Sequence, residues 1–325
     1  MWNRRHLLAA SAATLAVFAG TPAIAQTFPS RAVTMVVPFP AGGITDAVAR
    51  ALASKMGDQL GKPVIVDNRP GGGGQIAASY VRQQAADGHT LYVGATEMFA
   101  INPTLFRNFS YDPLKDFSPV TSLIASPLVL VVPANSPINS VKDLIALAKS
   151  RDGGLNYASQ GMGSIGHLLG ETFRAKVGGK YSHVAYKGSA PALQDVMGGQ
   201  VDFMFDPVIT TAPLIAGKKL KPLAIAADKR SPQMPDVPTL AELGVPGMNA
   251  GVWFGAVVKA GTPAAAIDRL NDAIHKAMKD PEVVKRFADQ GMQAFPSTPA
   301  QFGTFMQAEV AKWGPLVKAS GASIE

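Results

Sequence analysis

Cysteine is absent from the 325-residue chain, which removes several kinds of chemistry at once. Without cysteine the protein has no disulfide, no thiol nucleophile and no thiolate ligand for a metal. A chain of this length can bury a core large enough to fold without disulfides. The net charge is +7, and the basic residues are scattered rather than clustered with aromatic residues. The sequence therefore shows no nucleic-acid-binding surface.

Histidine is also scarce, with five residues in the whole chain. Beyond residue 25 these are His89, His167, His183 and His275. None belongs to a ligand pattern such as His-Glu-x-x-His, so we predict no metal site. His167 follows a glycine-rich turn, and we expect it to be the only histidine near a candidate site. A role in helix packing is the alternative for this residue.

Long apolar runs are absent except at the N-terminus. There Arg4 and Arg5 precede an apolar stretch over 7–20, and Ala23-Ile24-Ala25 has the small residues of a cleavage site. The apolar stretch is shorter than the roughly 20 residues that span a membrane. We therefore predict a cleaved export signal over residues 1–25, with an uncleaved membrane anchor as the alternative. The paired arginines are compatible with the Sec and the twin-arginine routes.

The rest of the chain alternates apolar strands with amphipathic helices. One β-α-β-α-β series runs over 33–93, and a second runs over 128–226. Such alternation is typical of parallel sheets covered by helices. Two series on separate sheets predict a two-lobed α/β protein, with a ligand cleft at the carboxyl ends of both sets of strands. The C-terminal helical patterns, from 263 onwards, are expected to return to the first lobe.

The first strand, turn and helix lie within residues 33–46. An apolar β-branched run predicts a buried strand that two prolines terminate. Gly42 and Gly43 then give a tight turn whose backbone is not covered by side chains. A helical pattern follows, with Thr45 or Asp46 as the expected cap. This arrangement directs backbone N–H groups and the positive end of a helix dipole at one point, which suits an anion.

A second glycine-rich turn follows the strand that ends at Ser159. Residues 161–166 have the pattern Gly-x-Gly-x-x-Gly of a dinucleotide-binding loop. That interpretation requires an acidic residue about 20 positions further on, and the next strand leads instead into Lys187. An anion-binding helix N-terminus, with Ser159 and Ser164 as hydroxyl donors, is the simpler interpretation. An exported Rossmann-type oxidoreductase remains the alternative from another functional class.

Two aspartates complete the candidates that follow from the residues themselves. Asp46 lies in the first turn of a helix, where the dipole alone favours an acid. Asp206 ends a very apolar strand and is expected to face the cleft. Neither glycine-rich loop contains lysine or arginine, so backbone N–H groups, hydroxyls and water would hold an anion there. Lys187 is the nearest basic candidate.

Ordered motifs run through the chain from Phe28 to its end. They include Val37-Pro-Phe-Pro-Ala-Gly-Gly-x-Thr-Asp46, Val66-Asp-Asn-Arg-Pro-Gly-Gly-Gly73, Tyr111-Asp-Pro-Leu-Lys-Asp-Phe117 and Tyr186-Lys-Gly-Ser-Ala-Pro-Ala192. Together they resemble the Bug family, the substrate-binding proteins of tripartite tricarboxylate transporters. The resemblance implies a non-enzymatic periplasmic binding protein with a two-lobed, type II-like fold and no cofactor. Each lobe would be a mostly parallel sheet flanked by helices.

The same resemblance implies a function and a set of partners. Such a protein closes around a small carboxylate and delivers it to the membrane permease subunits of the transporter. Dicarboxylates, tricarboxylates, aromatic carboxylates and acidic amino acids all remain open as ligands. We expect a monomer, with lobe 1 formed by 27–125 plus 231–325 and lobe 2 by 126–230. A ligand sensor that docks to a membrane signalling protein is a further alternative.

The resemblance also assigns the site to the two glycine-rich loops, which grip the carboxylate partly through ordered water. The ligand-binding residues that it implies are Phe39, Ala41, Gly42, Gly43, Asp46, Thr96, Ser159, Gln160, Gly163, Ser164 and Asp206. This chain departs from the family pattern at Ile44, which replaces a third glycine. It also has Gly94-Ala-Thr-Glu-Met98 where a small polar loop is common. We expect Ile44 and Met98 to make the pocket tighter or more apolar.

Overall fold

The computed structural model describes residues 28–289 and 292–325. The predicted export signal over 1–25 lies outside the described residues. The strands in the described part are β1 (Val33–Val37), β2 (Val64–Asn68), β3 (Thr90–Ala95), β4 (Phe117–Pro133), β5 (Leu155–Ser159), β6 (Tyr181–Ala185), β7 (Phe203–Pro207), β8 (Leu220–Ala226), β9 (Gly251–Lys259) and β10 (Gln293–Ala294).

The helices alternate with these strands. They are α1 (Ile44–Leu60), α2 (Gln75–Gln83), α3 (Asn102–Leu105), α4 (Val141–Ser150), α5 (Ile165–Val177), α6 (Ser189–Met197), α7 (Val208–Ala216), α8 (Ala264–Met278), α9 (Pro281–Asp289) and α10 (Pro299–Ser320). A short 3₁₀ turn over Gly72–Gly74 precedes α2, and a π-helical turn over Glu97–Ile101 precedes α3. Within the described residues, none of the helices has both the length and the apolar character needed to cross a membrane.

The strands form a curled mixed sheet in the order β2-β1-β3-β9-β4-β7-β5-β6, with β8 and β10 also paired to β4. In one half, β1 runs parallel to β2 and β3. In the other half, β5 runs parallel to β6 and β7. These two parallel sets correspond to the two predicted β-α-β-α-β series. Strands β4 and β9 lie between these two parallel sets, and each runs antiparallel to its partners.

The sequence predicted two separate sheets. In the structure, strand β4 pairs with strands of both halves and joins them. Its residues up to Pro127 pair with β9, and those from Leu128 onwards pair with β7 and β8. The sequence predicted only the strand over 128–132, because prolines normally interrupt a ladder. Pro119 lies beside a register shift, and Pro127 lies where β4 exchanges one set of partners for another. A missing N–H is tolerated at such irregular positions.

The C-terminal helices return to the first half of the sheet, as predicted. Helix α8 packs against α1, and α10 packs against β4 and the π-helical turn. The indole N–H groups of Trp253 and Trp313 both donate to Oε2 of Glu309, at 2.8 and 2.9 Å. The hydrogen bond from Trp253 connects β9 with α10, and the one from Trp313 lies within α10. An indole N–H that is removed from water needs such an acceptor.

Candidate functional site

A cleft with a volume of about 580 Å³ is lined by residues from both halves of the sheet. That volume lies within the range of roughly 300–1,000 Å³ that is typical of small-molecule sites. Its walls are mostly apolar, and the largest apolar side chains that line it are Phe39, Ile44, Met98, Ile165, Ile209, Val252 and Phe254. Ile44 and Met98, the two departures from the family pattern, both belong to this apolar wall.

Four helices begin at the cleft. They are α1 at Ile44, α5 at Ile165, α6 at Ser189 and α7 at Val208, and each contributes first-turn residues to the lining. The first N–H groups of a helix have no acceptor within the helix, and its N-terminus carries a partial positive charge. The cleft thus offers an anion several backbone donors and several dipole ends from both halves of the sheet.

Asp46 shapes the first glycine-rich loop. Its Oδ2 accepts hydrogen bonds from the backbone N–H of Gly42 and from Nε of Arg50, both at 2.9 Å. The hydrogen bond from Arg50 is the main cause that holds the pKa of Asp46 below its ordinary value. Gly42 has a φ of +86°, which favours glycine. The N-cap of α1 is Gly43, so the expectation of Thr45 or Asp46 as the cap is wrong.

The second glycine-rich loop is closed by its own polar groups. Ser164 is the N-cap of α5, and its hydroxyl donates to the carbonyl of Gly161 at 2.7 Å. The N–H of Gly163 donates to Nδ1 of His167 at 3.0 Å. Gly163 has a φ of +73°, and a Cβ there would lie 2.4 Å from Leu105 of the first half. Glycine is therefore required where this loop approaches α3.

Two histidines lie behind this loop. The rings of His167 and His183 stack with their centroids 3.9 Å apart, and Nε2 of His183 is 2.6 Å from Oγ of Ser159. The expectation that His167 is the only histidine near the site is therefore wrong. Desolvation lowers the pKa of His167 and lowers that of His183 further, to about 4, with the neighbouring His167 as a second cause. Both rings are held neutral at pH 7.

Asp206 connects three elements beneath the cleft. Its Oδ1 accepts hydrogen bonds from Nε2 of Gln160 at 2.5 Å and from Oγ of Ser189 at 2.7 Å, and its Oδ2 accepts one from Thr210. Gln160 in turn accepts the N–H of Gly166. Asp206 is fully buried, and desolvation raises its pKa to about 6 although the three donors lower it. Its side chain therefore positions three residues that do line the cleft.

The predicted site residues fall into three groups. Those that line the cleft are Phe39, Ala41, Gly43, Gln160 and Ser164. Those that shape the loops or lie beneath them are Gly42, Asp46, Ser159, Gly163 and Asp206. Thr96 is buried, and its hydroxyl pairs with the backbone N–H and carbonyl of Trp253, so it braces β9 instead.

Glu97 also lines the cleft and was not assigned to it from the sequence. It begins the π-helical turn that follows β3, and desolvation raises the pKa of its carboxyl group. The unusual Gly94–Met98 segment was a signal for it, but only Thr96 and Met98 of this segment were connected with the pocket. Lys187, the expected basic candidate, is exposed and is not among the lining residues. Among the described residues, no group of three metal-ligating side chains is assembled.

Acidification is expected to weaken the contribution of His183 to stability. Its pKa falls from 6.5 to about 4 on folding, so the unfolded chain binds more protons between these pH values. The free energy of unfolding therefore decreases as the pH falls through this window. One pKa unit corresponds to about 1.4 kcal/mol, and partial exposure reduces the effect, so we expect about 1–2 kcal/mol.

Asp206 acts in the opposite direction, because its pKa is raised on folding and its carboxyl group gains protons as the pH falls. The His183 effect is therefore isolated by comparing the protein with a His183→Gln variant in urea unfolding at pH 7 and at pH 4. We expect the difference in stability between the two proteins to shrink on acidification. A difference that stays constant across this range would contradict the assignment.

Comparison with known proteins gives a consistent result over most of the chain. The family model described as "Tripartite tricarboxylate transporter family receptor" matches residues 48–322. The solved structure of Rpa4515 from R. palustris with adipate is 36% identical, with a TM-score of 0.79, and the match covers 91% of this chain and 99% of that chain.

Two further solved structures are similar over the same extent. MatC from Rhodopseudomonas palustris, with bound malate, is 35% identical, with a TM-score of 0.75 and coverage of 89% of this chain and 100% of that chain. The periplasmic binding protein BugD is 33% identical, with a TM-score of 0.76 and coverage of 92% and 100%.

Proposed function

Because the chain belongs to the receptor family of tripartite tricarboxylate transporters, a family of solute-binding proteins, we propose that its cleft captures a small organic acid through backbone N–H groups. The observation that carries this proposal is the convergence of four helix N-termini on a cleft whose lining includes no Lys, Arg or His among the described residues. The adipate and malate bound by two relatives support a carboxylate as the ligand class.

We assign the contacts according to position. The N–H groups at the start of α1, next to Gly43, and at the start of α5, next to Ser164, would hold the carboxylate, with ordered water between some donors and the ligand. Phe39 and Ala41 would cover the apolar part of the ligand. Gln160 would be oriented by Asp206 rather than free to rotate.

The two lobes would be residues 27–125 with 231–325, and residues 126–230. Two features support this division. Strand β4 changes partners at Pro127, and the chain crosses back between Ala226 and Ala250, whose backbone groups are hydrogen-bonded to each other. The points at which the chain passes between the lobes are therefore adjacent, which suits closure about a hinge.

The partners follow from the family. The protein would act as a monomer in the periplasm after export by a Sec or twin-arginine signal, and would deliver its ligand to the membrane permease subunits. BugD, described as a periplasmic binding protein, supports this location. The ligand-free cleft would have to differ in shape from the closed, loaded form that a permease recognises.

The proposal is tested by a thermal-shift screen of residues 26–325 against small carboxylates and their neutral primary amides. A ligand that binds only the folded protein stabilises it by about 2.7 kcal/mol at a hundred times its Kd, which raises Tm by a few degrees. We expect a shift with one class of carboxylate and none with the matching amides. Shifts of equal size with acids and amides, or a shift with NAD alone, would contradict the proposal.

A further inference from the structure

Glu97 places a carboxyl group in the wall of a cleft that is otherwise suited to anions. Its side chain is partly exposed there, next to Met98, and faces a cleft that the second glycine-rich loop also lines through Gln160 and Ser164. The same three neighbours accompany Glu97 along an adjoining cleft of about 240 Å³. Glu97 thus lies where residues from both halves of the sheet meet.

Among the described residues that line the cleft, no basic side chain accompanies Glu97. Within the described part of the chain, Glu97 is the one ionisable side chain among the residues that line the larger cleft. Glu97 belongs to none of the ion pairs formed by the described residues. The other nearby acid, Asp206, is buried beneath Gln160 and already accepts three hydrogen bonds. The proposed function places one ligand carboxylate at the helix N-termini. A second ligand carboxylate near Glu97 would be repelled.

We infer that the ligand is a monocarboxylate with an apolar body and a distal protonated amine, and that Glu97 accepts hydrogen bonds from this amine. The inference rests on the proposed function, because it assumes that the helix N-termini bind a carboxylate. The apolar wall formed by Phe39, Ile44 and Met98 would cover the body of the ligand between its two charged ends.

A purely local role is the competing explanation for Glu97. An acid in the first turn of a helix is stabilised by the dipole without any ligand, and the backbone N–H of Glu97 itself lowers its pKa. That role predicts no discrimination between ligands. A carboxylate in the cleft wall that accepts no hydrogen bond from another side chain of the described residues is instead a strong acceptor for a ligand cation, because hydrogen bonds between ionised groups are the stronger ones.

The experiment measures Kd by calorimetry for two matched ligand triplets. One is 6-aminohexanoate, hexanoate and adipate; the other is 4-(aminomethyl)benzoate, 4-methylbenzoate and terephthalate. Within at least one triplet we expect the natural chain to bind the amine-bearing acid at least ten times more tightly than the diacid. Glu97→Gln should weaken the amine-bearing acid by about ten- to a hundred-fold, should strengthen the diacid, and should leave the acid with a methyl end nearly unchanged.

Two controls accompany the variant. Glu282→Gln, on the exposed surface of α9, removes the same charge away from the cleft and should not change the order of affinities. The melting temperature of Glu97→Gln without ligand shows whether the variant is folded. A folded variant that keeps the natural order of affinities would overturn the inference.

The remaining outcomes separate the inference from the proposed function. Tightest binding of a diacid by the natural chain, with uptake of one proton measured in buffers of different ionisation enthalpy, would show that Glu97 is a protonated donor and would overturn the inference alone. Tight binding of the methyl-ended acids by the natural chain and by Glu97→Gln, with no preference for an amine, would also overturn the inference and leave the proposed function intact. Binding of none of the six acids to either protein would contradict the proposed function as well.

Discussion

Replacing Gly43 by valine is expected to lower carboxylate affinity at least a hundredfold while the fold persists. Gly43 has an extended backbone, with φ −76° and ψ 173°, which any residue can adopt. A Cβ at this position would have Pro40 O at 3.5 Å as its nearest neighbour, an ordinary contact. The valine side chain would therefore extend into the cleft, over the first N–H groups of α1.

Stability should change little in this variant. Valine is a poorer N-cap than glycine, which costs about 1 kcal/mol. Calorimetric titration gives the affinity, and urea unfolding gives the stability. Gly198→Val is the control for adding a valine at a glycine outside the cleft, because Gly198 also has a φ of −76° and lies at the exposed C-terminal end of α6. Undiminished affinity in Gly43→Val would rule out binding at the N-terminus of α1.

Replacing Asp206 by alanine is expected to reduce both affinity and stability. The substitution removes the fully buried carboxylate that accepts hydrogen bonds from Gln160, Ser189 and Thr210. Gln160 keeps the carbonyl of Phe205 as an acceptor and Thr210 keeps that of Pro207, so the loss is largest at Ser189. Each buried donor that loses its partner costs about 1–3 kcal/mol, and part of this is offset because an expensive buried charge disappears. We expect a net loss of about 2–4 kcal/mol in the free energy of unfolding.

The affinity should fall by about a hundredfold, because the second loop, α6 and α7 lose the group that holds them in one arrangement. Thr210→Val is the milder control, since it removes one donor and keeps the carboxylate and two of its partners. Asp206→Ala with full affinity and lowered stability would assign Asp206 to the fold alone. Calorimetric titration at a temperature where both proteins are folded distinguishes the two effects.

The local elements of this protein could be predicted from its sequence. Each glycine-rich turn follows an apolar strand and precedes an amphipathic helix, and that information is contained within about 25 residues. The same holds for α8 and α10, which begin beside Pro263 and Thr298. Strand β4 was only partly predicted, because the tolerance of Pro119 and Pro127 depends on partners more than 80 residues away.

The contacts of the site depend on sheet order, which the sequence alone did not give. Strand β7 lies parallel to β5 with Ala158 opposite Met204, so Gln160 and Asp206 come together two residues further on. Strand β6 lies on the other side of β5, and this places His183 beside Ser159. Asp206 and Gln160 were therefore both predicted as site residues, but the hydrogen bond between them was not, and Ser189 and Thr210 were not predicted.

The directions of the Thr96 and Glu97 side chains could not be predicted from the sequence either. Both follow strand β3, and their neighbouring positions gave no basis for choosing which one faces the cleft. The structure pairs the hydroxyl of Thr96 with Trp253 of the adjacent β9 and leaves Glu97 in the cleft wall. The polarity of the Gly94–Met98 segment was visible in the sequence, and its effect on ligand choice follows only from this geometry.

The central claim is that backbone donors at converging helix N-termini bind the ligand carboxylate. A crystal structure of residues 26–325 with the acid identified by the screen tests it most directly. We predict a carboxylate oxygen within hydrogen-bonding distance of a backbone N–H at the start of α1, and another bonded directly or through one water to α5 or α6. A carboxylate held by a lysine or arginine side chain outside the cleft would contradict the account.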